Sequence, residues 1–280
     1  MPLVDPGPLH RVALAVDDAA AAHTWFKEVL GAGSLNAPGF SDDITGGGGS
    51  DLEGTDIRMF RVGGYTFILL AKGAAGGPVA RFLERYGPGL HSLAWEIKDM
   101  WTAQNLLIEA GVRIGSVNIP GRHFFMHPKD THGLLLEWTD DNFGGNARRG
   151  DEGGGTLDVS SVAWVTAVVD DAEATAAFLA DLAGASPVTG NPAGPPDEEL
   201  TLDVAVGDLT IRLVTPRQPS SRFAQVEASP RLCSLTWKVG DLDRALASLQ
   251  AVGVATVSRS EGLAVTDPAA TFGIPFEWTA

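Results

Sequence analysis

The sequence predicts an α+β protein built from four β-α-β-β-β modules, arranged as two tandem domains with curved mixed sheets. Two observations support this class. One pattern of strand, capped helix and glycine recurs four times along the 280 residues, and a glycine-rich stretch separates the second copy from the third. Repeats are sought first because an undetected repeat changes the whole fold prediction. We therefore predict a first domain at 1–140, a linker at 141–156 and a second domain at 157–280.

The first and third copies carry the clearest repeat. The first runs from His10 to Ala32 and the third from Ala163 to Ala185, and they match position for position without a gap. In the first copy an alternating strand leads to Asp17 and Asp18, which are candidate helix N-caps, and the helix is expected to stop at Gly31. This correspondence indicates an internal duplication.

The second and fourth copies repeat the pattern and add a matching last strand. They begin at Gly89 and Arg231 and end in LLLEWT at Leu134 to Thr139 and IPFEWT at Ile274 to Thr279. Between helix and last strand there is room for two or three further short strands, which completes the β-α-β-β-β module.

Composition limits the classes of partner. Thirty-five acidic against twenty basic residues give a net charge of −15, which argues against nucleic acid and anionic membranes. No run of about 18 apolar residues exists, and the N-terminus lacks the features of a signal peptide, so we expect a cytoplasmic protein. The single cysteine, Cys233, allows no internal disulfide. A small-molecule substrate remains the expected partner, and a homodimer is left open.

Glu137 is the residue around which the site prediction is built. It is a carboxylate in an otherwise apolar last strand, and burying it is unfavourable unless a compensating group meets it. His10 and His91 open other apolar strands of the same half, each at the same place in its module. A lone buried histidine is more often a hydrogen-bonded core residue, but the duplicated placement favours a metal site. Two imidazoles and one carboxylate form a facial set that leaves coordination positions open.

A comparison inside the sequence supports this hypothesis. The second half has Ala163 where His10 stands and Cys233 where His91 stands, although it keeps Glu277. One half retains both nitrogens and the other loses both, as expected if only the first half holds a metal ion.

These residues resemble the vicinal oxygen chelate superfamily, which includes glyoxalase I, methylmalonyl-CoA epimerase, the fosfomycin and bleomycin resistance proteins and extradiol dioxygenases. The four modules carry the resemblance over nearly the whole chain. The segment FFMHPKDTHGLLLEW is similar to the HPK-x-x-x-G-x-L-x-E-L ending of methylmalonyl-CoA epimerases. The resemblance implies bidentate capture of a substrate by one divalent ion (Fe, Co, Zn, Ni or Mn), here held by His10, His91 and Glu137, which stabilises an enolate or activates dioxygen.

The chain also departs from the epimerase pattern. The positions where glyoxalases and epimerases usually bring a fourth ligand fall at Arg61 and Ile68, neither of which binds a divalent cation. A three-ligand set is nearer to that of the dioxygenases. Arg61 is expected either to hold a substrate carboxylate in a bidentate fork or to point to solvent. By its place relative to the epimerases' catalytic acid, Glu53 is the candidate general base, against the alternative of a solvated loop glutamate.

Further candidates surround the predicted site. His123 and His132 are expected to serve as acid or base, or to contact substrate, if the substrate reaches them. Strand parity across the turn is expected to put Phe124 on the same face as Glu137, and Trp95 and Phe124 are expected to wall the pocket, although aromatic residues at such places are more often core.

Three functions follow. The first is a metal-dependent isomerase, epimerase or lyase working through an enolate on a small oxygenated or acyl-CoA-type substrate. The alternatives are a non-haem Fe(II) extradiol-type dioxygenase and a non-catalytic small-molecule binder of the resistance-protein type. The HPK ending favours the first.

Overall fold

The fold is α+β with two mixed sheets, as predicted. A computed structural model of the protein describes residues 2–33, 35, 43–45, 55–72, 77–119, 121–140, 155–191, 196–224 and 231–280. Each half of the chain contributes one eight-stranded sheet, with strand orders β2-β3-β4-β1-β5-β8-β7-β6 and β10-β11-β12-β9-β13-β16-β15-β14. The two orders are the same, shifted by eight strands, which is the structural form of the duplication seen in the sequence.

The strands of the first sheet alternate with three helices. In chain order these elements are β1 (Leu9–Val16), α1 (Ala19–Leu30), β2 (Asp43–Thr45), β3 (Asp56–Val62), β4 (Tyr65–Ala71), α2 (Pro78–Tyr86), β5 (Gly89–Glu96), α3 (Met100–Glu109), β6 (Ile114–Ile119), β7 (His123–Met126) and β8 (Leu136–Thr139).

The second sheet alternates with two helices in the described residues. Its elements are β9 (Val159–Val168), α4 (Ala172–Ala183), β10 (Ser186–Val188), β11 (Glu199–Val206), β12 (Leu209–Pro216), β13 (Arg231–Val239), α5 (Leu242–Ala251), β14 (Thr256–Ser260), β15 (Leu263–Thr266) and β16 (Phe276–Thr279). Short 3₁₀ turns at Pro128–Asp130 and Pro268–Ala270 precede the last strand of each half.

The helix boundaries follow the capping residues of the sequence. The carboxylate of Asp18 accepts the backbone N–H of Ala21, and α1 ends at Gly31, whose φ of 71° is left-handed. Three more helices have an aspartate N-cap at the equivalent position: Asp99, Asp171 and Asp241. The expected helix start at the aspartates and stop at Gly31 are confirmed.

The two faces of β1 pack against different layers. Phe67, the cross-strand neighbour of Val12, belongs to an aromatic cluster with Phe26 of α1. Ala13 points to the opposite face, where it packs with Val79 of α2. Both faces are therefore buried, and β1 has no solvent-exposed side that would reveal its orientation from hydrophobicity alone.

Two compact units divide the chain differently from the sequence halves. The first unit comprises Met1–His10, Ser92–Phe143 and Trp164–Cys233, and the second comprises Arg11–His91, Gly144–Ala163 and Ser234–Ala280. Each unit thus combines most of one module from the first half with most of one module from the second. Among the described residues, no helix has the length and apolarity needed to cross a membrane.

Candidate active site

A buried polar cluster lies on one face of the first sheet, within the first compact unit. The parallel register of β5 and β8 places Ala94 beside Glu137, so Ser92, two residues earlier, points to the same face. The antiparallel register of β7 and β8 places Phe125 beside Glu137, and His123 shares that face. Three neighbouring strands therefore direct a hydroxyl, a carboxylate and an imidazole towards one another.

We call Ser92, His123 and Glu137 the Glu137 cluster, because the carboxylate of Glu137 contacts both other side chains. The Ser92 hydroxyl donates to Oε1 of Glu137, and Nε2 of His123 lies 2.9 Å from Oε2. The exposed fractions are 0% for Ser92, 3% for His123 and 2% for Glu137, so water does not solvate the carboxylate. These hydrogen bonds compensate the loss of water that burial of a carboxylate entails.

The contact also fixes the chemistry of the imidazole. When Glu137 is ionised its carboxylate only accepts hydrogen bonds, and Nε2 of His123 is then the donor in this contact. A histidine oriented by a buried carboxylate is the arrangement that proteins use for proton transfer, because the carboxylate fixes the ring and stabilises its cationic form. The geometry can therefore support acid–base chemistry.

The second half builds the same feature without an imidazole. Ser234 donates to Oε1 of Glu277 at 2.6 Å, and the Thr236 hydroxyl lies 3.3 Å from Oε2. Leu263 takes the place of His123, while Val265 lies beside Glu277 as Phe125 lies beside Glu137. The serine and the glutamate are thus common to both halves, and the histidine distinguishes the first.

The predicted histidine ligands do not join Glu137. His91 precedes Ser92 on β5 and therefore points to the face opposite Glu137; its ring lies 4.8 Å from that of Phe82. The prediction joined His91 and Glu137 on one metal ion, whereas the observed register of β5 and β8 puts Ser92, and not His91, on the face of Glu137. His10 is 1% exposed and points to the face of β1 opposite Arg11, which is the duplication equivalent of Ser92.

Two aromatic predictions need the same correction. Phe124 pairs with Trp138 and is turned away from Glu137; Phe125 shares the face of the glutamate instead. Trp95 also lies on the opposite face, where its indole N–H donates to the backbone oxygen of Val206 at 3.0 Å. Both side chains are fully buried, so they are core residues and not walls of the site.

The remaining candidates are placed elsewhere or lie outside the described residues. The guanidinium of Arg61 donates to the backbone oxygen of Gly64 at 2.8 Å and to Thr66 at 3.3 Å, within its own β-hairpin. His132 has a φ of 52° in a turn, and its Nδ1 lies 3.1 Å from the hydroxyl of Thr175. Glu53 lies outside the described residues.

His132 has a structural counterpart that explains its position. Phe272 occupies the equivalent turn in the second half, with a φ of 57°. The ring of His132 packs 4.9 Å from Phe178 of α4, and that of Phe272 packs 6.2 Å from Trp25 of α1. The two positions anchor a turn to a helix in the same way, so packing accounts for the position of His132.

Sequence comparisons identify the protein class. No protein-family model matches the chain. The ethylmalonyl-CoA/methylmalonyl-CoA epimerase of Cereibacter sphaeroides is 33% identical over 138 residues, a match that spans 47% of this chain and 96% of the relative. The chain belongs to the vicinal oxygen chelate superfamily. Human mitochondrial methylmalonyl-CoA epimerase is 28% identical over 137 residues, spanning 47% of this chain and 72% of the relative.

Solved structures of the superfamily show the same fold over the whole chain. A mutant of 4-hydroxymandelate synthase from Streptomyces coelicolor aligns with a TM-score of 0.70 at 17% identity, covering 98% of this chain and 93% of that one. A xylose isomerase-like TIM barrel/4-hydroxyphenylpyruvate dioxygenase fusion protein aligns with a TM-score of 0.63 at 15% identity, covering 99% and 49%. At these identities the likeness concerns the fold alone.

The residues present do not fit the divalent-metal site that the superfamily resemblance implied. The described residues contain no group of three His, Cys, Asp or Glu side chains placed to hold one ion. On the face of Glu137, the residue that β5 contributes is the hydroxyl of Ser92, whereas the imidazole of His91 points to the other face. Serine hydroxyl is not among the usual ligands of the metals in question.

The residue that sequence reasoning missed is Ser92. One signal in the chain pointed to it: SL follows His91 in the second copy and Cys233 in the fourth, so a serine recurs inside a buried strand of both halves. A polar residue repeated at a buried position indicates a partner, and in both halves that partner is the last-strand glutamate.

Proposed function

We propose that the protein is an isomerase-type enzyme, which moves a proton at the carbon next to a carbonyl of a small oxygenated or acyl-CoA-type substrate. The observation that carries this proposal is the buried His123–Glu137 pair, with Nε2 and Oε2 2.9 Å apart. The 33% identity with an ethylmalonyl-CoA/methylmalonyl-CoA epimerase supports the same class of reaction.

In this mechanism His123 moves the proton and Glu137 positions it. The C–H bond next to the carbonyl breaks, its electrons pass into the carbonyl to give an enolate, and the proton is taken by Nδ1 of His123. The carboxylate stabilises the resulting imidazolium, and Ser92 keeps the carboxylate in place. A proton from water added to the opposite face of the enolate completes an epimerisation, and the imidazolium of His123 releases its proton to water.

Hydrogen exchange tests the proposal directly. The purified protein is incubated in deuterated water with methylmalonyl-CoA, ethylmalonyl-CoA or a 2-oxo acid, and deuterium incorporation is followed by mass spectrometry. We expect incorporation with at least one of these substrates, and we expect His123→Leu to reduce its rate by roughly 100-fold or more, the usual contribution of a positioned acid–base group. Leucine is chosen because the second half carries Leu263 at this position.

The matched control changes the other half. Leu263→His introduces an imidazole beside Glu277 and is expected to leave the exchange rate unchanged, because the proposal assigns the reaction to the first half. Undiminished exchange in a folded His123→Leu variant would show that His123 is not the proton-transferring group.

A second candidate function is non-catalytic binding of a small molecule. The observation that favours it is Glu277, which is buried and contacts two hydroxyls, while Leu263 stands at the position of His123, so a buried last-strand glutamate does not require that histidine. Native mass spectrometry or thermal shift with the same substrates distinguishes the two functions: a binder is stabilised by a ligand without exchanging its hydrogen.

A dioxygenase function has weaker support. The whole-chain likeness to 4-hydroxymandelate synthase is at 17% identity and concerns the fold. Measuring oxygen uptake with catechols in the presence of Fe(II) tests this alternative, and we expect none above the protein-free rate.

A further inference from the structure

We infer that the first half holds its last-strand glutamate with a hydroxyl and an imidazole in place of a metal ion, and that the serine at position 92 is what removes the ion site. This inference goes beyond the proposed function, because it concerns which groups contact the carboxylate of Glu137, whichever reaction the protein performs.

Three polar side chains converge at the Glu137 cluster. Ser92, His123 and Glu137 come from three neighbouring strands, and all three are at most 3% exposed. Their polar atoms meet at the two carboxylate oxygens. Two of the three positions therefore already carry metal-ligating residue types, one imidazole and one carboxylate, and the third carries a neutral hydroxyl.

The contact between a serine hydroxyl and the last-strand glutamate recurs in the second half. Ser234 donates to Glu277 in the second half, where Thr236 approaches the other carboxylate oxygen and Leu263 replaces the histidine. In that half, two hydroxyls contact the buried glutamate. The serine–glutamate pair is therefore common to both halves, and only the first half adds an imidazole, at the position of Leu263.

One imidazole, that of His91, is close to Ser92 in sequence. His91 is adjacent to Ser92, but the pleat of β5 directs adjacent residues to opposite faces. Moving His91 to the face of Glu137 would require a one-residue slip of β5, which would also turn Leu93 and Trp95, both fully buried, out of their packing. His91 therefore cannot take the place of Ser92 beside Glu137 without disrupting the packing of β5.

A gain-of-site experiment tests the inference in the full-length protein. Wild type, Ser92→His and Ser234→His are dialysed against Co²⁺ or Zn²⁺, bound metal is counted by elemental analysis, and Co²⁺ coordination is followed by visible absorption. We expect wild type to retain no stoichiometric ion. We expect Ser92→His to bind about tenfold or more tightly than wild type, since it places two imidazoles beside one carboxylate.

Ser234→His is the matched control. It adds an imidazole beside Glu277, but Leu263 supplies no second one, so its affinity should stay below that of Ser92→His. Adding Glu137→Gln to Ser92→His should abolish the gain. Far-UV circular dichroism and thermal unfolding establish that each variant is folded, and Ser92→Cys provides a smaller ligand of nearly the size of serine if the imidazole is not accommodated.

Two results would overturn the inference. One is a wild-type protein that retains one equivalent of a divalent ion and loses it on Glu137→Gln. The other is a set of folded Ser92→His and Ser92→Cys variants with no gain in affinity, which would show that position 92 does not face a latent site. Neither result depends on catalytic activity, so the inference and the proposed function fail independently.

Discussion

At the scale of single residues, Glu137 sets the chemistry of the candidate site, because its carboxyl group is buried with 2% of the residue exposed. Glu137 needed a compensating group because a buried carboxylate is unfavourable in isolation, and the structure supplies two, Ser92 and His123. His10 and His91 looked equivalent because they occupy the same place in duplicated modules. Strand β5 is buried on both faces from Ser92 onwards, so its hydrophobicity could not reveal which face a histidine takes; only the register with β8 decides it.

A second feature at this scale is an ion pair that links the residues after α3 to the turn before β8. The guanidinium of Arg113 donates to both carboxylate oxygens of Asp130, at 2.6 and 2.8 Å, and its backbone N–H donates to the same side chain at 2.9 Å. These hydrogen bonds lower the pKa of Asp130 from 3.8 to about 2. The equivalents in the second half are Ala255 and Ala270, so the turn itself forms without the pair.

Asp130→Asn is expected to lower the free energy of unfolding slightly at neutral pH. The pKa of Asp130 is lower in the fold than in the unfolded chain, so the ionised pair stabilises the protein above about pH 4. This contribution disappears as the pH falls from about 4 towards 2. The effect is small because both side chains are partly exposed and water screens them. Urea unfolding of both proteins between pH 7 and 3 measures it; a difference that does not shrink on acidification would assign it to packing instead.

At the scale of elements, local signals predicted the helices well. Aspartate N-caps and a glycine stop are read from neighbouring residues, and α1 begins and ends where those signals place it. The pairing of β5 with β8 depends on residues about 40 positions apart, which no local pattern encodes. That difference explains why the modules were predicted correctly while the composition of the site was not.

One element-scale contact depends on a glycine. Gly207, in the turn between β11 and β12, has a φ of 59°, and a Cβ there would lie 2.5 Å from the backbone oxygen of Gly7. The next residue, Asp208, accepts the backbone N–H of Leu9. The turn thus packs directly against the segment that leads into β1, within the first compact unit.

Gly207→Ala is expected to destabilise the protein more than Gly64→Ala. Both glycines have positive φ, so alanine adds about 1 kcal/mol of backbone strain at either site. Only at Gly207 does the new methyl group also meet backbone, whereas at Gly64 it meets nothing within 4 Å. We expect a further loss of about 1–3 kcal/mol for Gly207→Ala. Thermal or urea unfolding compares the two variants, and equal losses would exclude the steric contact as the cause.

At the scale of the whole molecule, the duplicated halves share their packing. In the first unit, Leu3 and Val4 donate backbone hydrogen bonds to the end of α4. In the second unit, Leu157 donates to Val29 at the end of α1, and the ring of Phe26 lies 5.8 Å from that of Phe276. The sequence predicted two domains at 1–140 and 157–280, whereas each compact unit draws on both halves.

Separating the halves is therefore expected to prevent folding. Residues 1–140 or 157–280 expressed alone should lack a cooperative unfolding transition, because each lacks the aromatic and backbone partners supplied by the other. Co-expression with an affinity tag on one half should recover both in a single complex. Circular dichroism and co-purification provide the measurement, and a full-length protein cleaved at a protease site inserted within 141–154 is the control. A stable, cooperatively melting single half would contradict this expectation.

The exchange of partners between halves has a consequence for how such a gene can change. A duplicated domain with its own hydrophobic core can be deleted without unfolding the other copy. Here each compact unit contains residues of both copies, so deletion of either copy would remove part of both hydrophobic cores. Selection on the first copy therefore preserves the second, although the second carries Leu263 where the first carries His123. Substitutions are therefore tolerated at polar positions of the second copy, but not at the aromatic positions that pack against the first copy.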